Sequence, residues 1–318
     1  VIIRVVVAVL LVLFTLAGCV QAPPGRPTAA GVWDVRPDGV EDPADLSGAG
    51  AKAPACGDPR AGLRPDTTIA PGSATARIVQ RGYLVAGVNQ NAYRVGYRDP
   101  ASGALVGFEI DIVREIARAL FGDPTRVRFA AIDAADREGA LERGDVDVVV
   151  RSMTITCAAR ERVAFSTEYF TATQRLLVPT SSRAKEIEQF GGQRVCSAAG
   201  STSLTNLGRL NPDVVPVSTA DVIDCLVLLQ QHQVDAVSTS DILLVALAAQ
   251  DQHTTVVGRG LATQPYGVAI AKNAPDLVRY VNAVLDRYRS GGAWTASYRR
   301  WLSPVLGAAP APPEPRYR

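Results

Sequence analysis

Arg151 opens the stretch RSMTITCAARERVAFS, which sets Ser152, Thr154 and Thr156 among several cations directly after the apolar run VDVVV. Hydroxyls and cations at the end of a strand and the start of a helix suit a small anion. The first N–H groups of a helix have no intrahelical partner, and the helix dipole favours negative charge there. The other chemistries are poorly provided for. The two histidines, His232 in QQHQ and His253 in QDQHTT, sit in polar surroundings and leave little scope for a His-based metal or catalytic centre. No cysteine reads as a free nucleophile, and no His–carboxylate pair stands out. Glu109, in GFEIDI, reads as structural. The chain is therefore expected to bind rather than to catalyse, without metal or cofactor.

The elements that must position this turn follow from periodicity. GYLVAGV (82–88) reads as a strand, and GFEIDIVREIARALFG (107–122) as an amphipathic helix with Ile112, Ile116, Ala119 and Leu120 on one face. RVRFAAI, ADREGALERG and VDVVV continue as strand, helix, strand, and EYFTATQRLLVPT returns as a strand. A second set repeats the plan: QRVCSAAG, STSLTNLGRL, VVPVS, ADVIDCLVLLQQH, VDAVSTS, DILLVALAAQ and PYGVAIAK. The last segment, 274–302, reads as two helices parted by Gly291-Gly292, with Trp294 and Trp301 as core. Alternating strands and helices predict an α/β fold with mostly parallel sheets, and ligands in such sheets bind beyond the carboxyl ends of strands. RGDVDVVVRSMT and QHQVDAVSTSD each pass from a helix end through Val-Asp and an apolar strand into a hydroxyl-bearing turn. Two lobes with facing strand ends would enclose a cleft.

Composition sets the compartment and the partners. The 318 residues suffice for two lobes, and the net charge of +2, with no long basic run, gives no reason to expect nucleic acid. Residues 1–19, VIIRVVVAVLLVLFTLAGC, have a thin basic start, a short apolar run and small residues before Cys19. Those are the proportions of a signal peptide with a lipobox, so a lipid anchor on Cys19 and an extracytoplasmic site are expected. Residues 20–67 and 307–318, rich in Pro, Gly and Ala, read as a disordered tether and tail. In an oxidising space the four remaining cysteines allow three pairings. Cys196 and Cys225 fall in one predicted lobe and are paired, which leaves Cys56 with Cys157.

The motifs GFEIDI, GDVDVVVRSMTIT, VAFSTEYF, AAGSTS and VDAVSTSD resemble, in order and spacing, the extracellular solute-binding proteins of polar amino-acid ABC transporters. MTITC and the tether resemble the actinobacterial glutamine/glutamate-binding lipoproteins. The resemblance covers nearly all of the folded part. It implies a two-lobed periplasmic-binding-protein-like fold, lobe 1 at 68–176 plus 268–306 and lobe 2 at 177–267, with a hinge near Gln174–Pro179 and Tyr266–Ala271. It implies a small polar amino acid as ligand, held between Ser152, Thr154 and Thr156 on one lobe and Gly200, Ser201 and Thr202 on the other. Arg137 matches the arginine that reads an acidic side chain, and Tyr93 and Tyr97 stand where aromatic walls are found.

Two positions depart from the pattern. Where the family carries a carboxylate-clamping arginine this chain has Ala159, followed by Arg160. Where the family carries an ammonium-binding aspartate it has Ser240, followed by Asp241. Arg160, Asp241 and Ser240, with Arg151 as a substitute cation, complete the candidate set. The implied partner of a monomeric, membrane-anchored binding protein is an ABC permease or, alternatively, a membrane sensor.

Overall fold

The computed structural model describes residues 36–46 and 55–318. The expected signal segment with Cys19, and tether residues 20–35 and 47–54, lie outside the described residues. After α1 (Ala74–Arg81) come β1 (Leu84–Val88), a three-stranded meander of β2 (Asn91–Ala92), β3 (Gly96–Arg98) and β4 (Leu105–Val106), then α2 (Phe108–Phe121), β5 (Val127–Ala131), α3 (Arg137–Arg143), β6 (Val148–Val150), α4 (Cys157–Arg162) and β7 (Val163–Pro179). The second half comprises β8 (Arg194–Ala198), α5 (Thr202–Leu210), β9 (Val215–Thr219), α6 (Val222–Gln230), β10 (Ala236–Ser240), α7 (Asp241–Ala248) and β11 (Thr254–Ala271). Helices α8 (Pro275–Ser290), α9 (Ala293–Trp301) and α10 (Ser303–Leu306) close the fold.

Local sequence explains the key helix. In α2 the buried Ile112, Val113, Ile116 and Leu120 face the core, Glu109 and Asp111 lie in the first turn and Arg118 in the last, which complements the helix dipole. Gly107 precedes it at φ +131°, where a Cβ would sit 2.3 Å from the Val95 carbonyl oxygen. Asp111 accepts from Ser297 Oγ at 2.7 Å and Trp301 Nε1 at 2.8 Å, fixing α9 against α2. Trp294 is buried in the same core and donates from Nε1 to the Tyr169 carbonyl at 2.8 Å.

The strands form one hydrogen-bonded sheet in the order β5-β1-β6-β11-β7-β10-β8-β9. Pairing is parallel within each lobe, β5-β1-β6 in lobe 1 and β10-β8-β9 in lobe 2. The sheet is continuous because β7 and β11 pair antiparallel along nearly their whole length and belong to both lobes. β10 already pairs with β7 at Gln174–Leu177, and β6 pairs with β11 at Ala269 and Ile270. The crossing between lobes therefore lies at about 170–174 and 262–267, meeting the expected hinge at Gln174 and at Tyr266–Gly267 and extending N-terminal of it in both strands. Register shifts at Val257/Ala262 and around Gly267 bend the pair.

Two stretches expected to be free are packed. Glu41 bridges to Ser218 on the β9 edge, Ala44 is buried and donates its N–H to the Pro216 carbonyl at 2.7 Å, and Asp42 pairs with Arg194. These residues cover the edge strand of lobe 2. On lobe 1, Gly62 donates to the Arg316 carbonyl at 2.9 Å and accepts from the Arg318 N–H at 3.0 Å. Arg316 pairs with Asp58, and the Tyr317 hydroxyl donates to the Asp286 carboxylate. A Pro- and Ala-rich composition hid these contacts because a few residues, Tyr317 above all, carry them.

Two disulfides, Cys56–Cys157 and Cys196–Cys225, join the end of the tether to α4 and β8 to α6. Both sulfurs of the second lie in the lobe 2 core. With a sequence separation of 29, its closure is worth about 3–4 kcal/mol by the chain-entropy model. Equilibrium denaturation of a Cys196→Ala/Cys225→Ala variant should show a loss of that size. An unchanged midpoint would mean that packing alone holds β8 on α6.

Candidate functional site

β6 ends at Val150 and the chain turns sharply through Ser152, whose φ of +47° is uncommon for a residue other than glycine. Glu109 holds this turn. Its Oε1 accepts from the Ser152 N–H at 2.6 Å, the Ser152 hydroxyl at 2.9 Å and the Tyr169 hydroxyl at 2.6 Å. Burial pushes the Glu109 carboxyl above its ordinary value, against the opposing effect of these donors and of Arg151. Its Oε2 is buried without a partner, which suits a proton on that oxygen.

Across the cleft, β8 runs into a second turn. Ser201 caps α5, its hydroxyl accepting from the Leu204 N–H at 3.1 Å. Gln174 and Gln264 of the crossing strands fix Ser203, two residues on. Gln174 Nε2 donates to the Ser203 carbonyl at 3.1 Å, and Gln264 Nε2 to the Ser203 hydroxyl at 2.8 Å. Between the turns lies a cavity lined by Arg137, Arg151, Ser152 and Thr154 from lobe 1 and by Ser201, Thr202, Ser203 and Asp221 from lobe 2. Tyr266 and Gln264 form its floor on β11. Its volume is ≈ 30 Å³, comparable with the share of one water in the liquid and too small for an amino acid.

Two arginines dominate the site. Arg137 is buried, and its bonds end on main-chain carbonyls: Nε to Ala134 at 2.7 Å, Nη1 to Arg151 at 3.4 Å and Ser152 at 3.5 Å, and Nη2 to Gly200 at 3.1 Å. The last bond crosses the cleft. Burial, and next the charge of Arg151, lower its pKa to about 10. Gly200 comes this close because it has no side chain. A Cβ there would meet the Ala135 Cα at 2.8 Å, and its φ is +65°. Arg151 Nη2 pairs with Asp221 across the cleft at 3.0 Å, both side chains nearly buried. Asn91 Nδ2 also donates to Asp221, at 3.4 Å.

The remaining candidates lie elsewhere. Thr156 caps α4, accepting from the Ala159 N–H at 3.0 Å. Arg160 turns away from the cleft and donates to the carbonyls of Pro59 and Ala61. Ser240 is fully buried at the start of α7. Asp241 accepts from the N–H groups of Thr173 at 3.2 Å and Ile242 at 2.8 Å, facing a hinge-side pocket with Trp294 and Tyr298. Tyr93 packs edge-on against Tyr97, with ring centroids 5.2 Å apart. Asp221, Tyr266, Gln264 and Asn89 line the cavity without having been selected from the sequence. Asp221, the second residue of ADVIDC, also caps α6 by accepting from the Ile223 N–H at 3.2 Å.

Because the folded state raises the Glu109 carboxyl, its contribution to stability is full below the ordinary carboxylate range and is lost as pH rises through the raised value. Glu109→Gln keeps the shape and cannot ionise. Wild type should therefore lose melting temperature relative to this variant as pH rises above about 4.5. Parallel curves from pH 4 to 8 would show that the fold does not raise the Glu109 carboxyl.

Residues 84–304 match the profile of the bacterial extracellular solute-binding proteins, family 3. The chain is 32% identical over 228 residues to the ABC transporter glutamine-binding protein GlnH of Bacillus subtilis, covering 71% of this chain and 84% of that protein. It is 26% identical over 272 residues to the glutamate-binding protein GluB of Corynebacterium efficiens, covering 81% and 87%. Among solved structures, an arginine-binding protein of T. maritima superposes with a TM-score of 0.68 at 27% identity, covering 72% of this chain and 99% of that one. A solute receptor for L-cysteine of Neisseria gonorrhoeae superposes at 0.70 and 25% identity, covering 73% and 95%. With two lobes on shared strands, a cleft at the strand ends and a match over most of its length, this chain belongs to the bacterial extracellular solute-binding proteins of family 3.

Proposed function

We propose that the chain captures an acidic amino acid, or its amide, outside the cytoplasm and delivers it to an ABC import complex from a lipid anchor at Cys19. The observation that carries this reading is the charge of the cavity. Arg137, Arg151 and Asp221 line it, and Glu109 behind Ser152 is held toward its neutral form. Asp221 is already paired with Arg151, so Arg137 is a desolvated cation with carbonyl partners alone. A carboxylate can bind such a guanidinium bidentately. An amino acid with an anionic side chain carries a net charge of −1 and complements the site; arginine or lysine would add a third cation.

The glutamine- and glutamate-binding relatives support the same class. In this reading the family's arginine clamp, absent at Ala159, is replaced by Arg151, and the ammonium is met by Asp221 in place of Ser240. The hydroxyls of Thr154, Ser201 and Thr202 complete the ligand's hydrogen bonds. The anchor rests on the apolar run and LAGC before Cys19. A Cys19→Ser chain should move from the membrane to the soluble fraction, and one that stays with the membrane would refute the anchor.

Arg137→Ala should weaken glutamate and aspartate more than glutamine and asparagine, by roughly 2–4 kcal/mol for a desolvated charge pair. Calorimetry on both proteins, with circular dichroism as a check on folding, measures the difference. Equal losses for acid and amide would show that Arg137 does not read the side chain.

A further inference from the structure

Arg160, displaced from the cleft, lines a second cavity of ≈ 370 Å³ on lobe 1. That volume lies in the range of small-molecule sites. The walls are apolar: Leu63 from the ordered end of the tether, Ala164 and Phe165 from β7, and Pro275 and Val278 from α8. Three cations, Arg160, Lys272 and Arg318, share the lining, and among the described residues no Asp or Glu side chain does.

Arg160 and Lys272 are held in place by main-chain carbonyls. Arg160 Nε donates to the Pro59 carbonyl at 2.5 Å and Nη2 to the Ala61 carbonyl at 3.2 Å, with the guanidinium 5.7 Å from the Phe165 ring centroid. Lys272 Nζ donates to the carbonyls of Arg160 and Glu161. The carboxylate that acts on Arg160 is Asp58, and Asp58 is already engaged by Arg60 and Arg316. Burial, then the charge of Arg318, lower the Arg160 pKa to about 10. Cations that meet carbonyl dipoles beside an apolar wall leave room for one more favourable contact, an anion whose body covers that wall.

We propose that this cavity is a second ligand site, for an amphipathic anion with a carboxylate or phosphate head and a short apolar body. The head lies between Arg160 and Lys272, and the body lies on Phe165, Pro275 and Val278. The site is independent of the amino-acid cleft, although α4, which carries Arg160, begins directly after the Thr154–Thr156 turn.

Titration calorimetry on the intact chain tests this with octanoate, octylammonium and inorganic phosphate, and co-sedimentation with phosphatidylglycerol vesicles tests the lipid source of the same head group. Octanoate should bind, at least about tenfold more tightly than phosphate, and octylammonium should not. Lys272→Gln, which leaves the Arg160 contacts to the tether intact, should weaken octanoate by about tenfold. Ala164→Leu, which fills the wall and keeps the cations, should abolish binding. Neither should change amino-acid binding. Equal binding of octanoate and octylammonium, or wild-type affinity in both variants, would overturn the proposal. Vesicle binding that depends on Lys272 without any octanoate binding would overturn it too, in favour of a membrane contact.

Discussion

The Arg137 guanidinium lies out of water with four carbonyl oxygens as partners, three from lobe 1 and one, Gly200, from lobe 2. Removing a cation from water is costly, and carbonyl dipoles offset only part of that cost. Much of the surrounding structure serves this one group. Glu109 holds Ser152 in a left-handed turn that aims carbonyls at it, α3 begins with it, and Gly200 lacks the side chain that would keep lobe 2 away. When the lobes part, Arg137 loses the Gly200 carbonyl and regains water. When they close on an anion, it gains a charge partner. In the proposed reading, closure and anion capture are one equilibrium, biased by contacts that exist in one state and not in the other.

The crossing strands give that equilibrium its mechanics. β7 and β11 stay paired through both lobes, so closure bends a ribbon without breaking a sheet. The bend sits at register shifts, where the ladder is already interrupted. The Arg151–Asp221 pair latches the far side of the cleft. It also removes Asp221 from competition for Arg137, which leaves that cation for a ligand.

Much of the fold was legible because strand and helix periods alternate twice in the same order, and the cysteines followed from their placement within that order. The hinge was less legible. TATQRLLV is a continuous strand pattern, and nothing in it marks where its partner changes from one lobe to the other. The site divides along similar lines. Arg151, Ser152 and Thr154 end a strand whose direction is fixed by the sheet, so their place at the cavity could be read. Arg160 and Asp241 lie in the first helical turns beyond such strands, where one residue turns a side chain by about 100°. Arg160 lies against the tether and Asp241 in the hinge-side pocket. Asp221 doubles as the cap of α6, and Tyr93, expected at the cavity wall, packs against Tyr97 instead.

In the proposed reading, the buried Arg137 makes the cavity select its ligand by net charge. Calorimetric titration of the intact chain with glutamate, aspartate, glutamine, asparagine, arginine and lysine under one set of conditions tests it directly. The acidic amino acids and their amides should bind, with arginine and lysine silent. Preferential binding of arginine or lysine would contradict it.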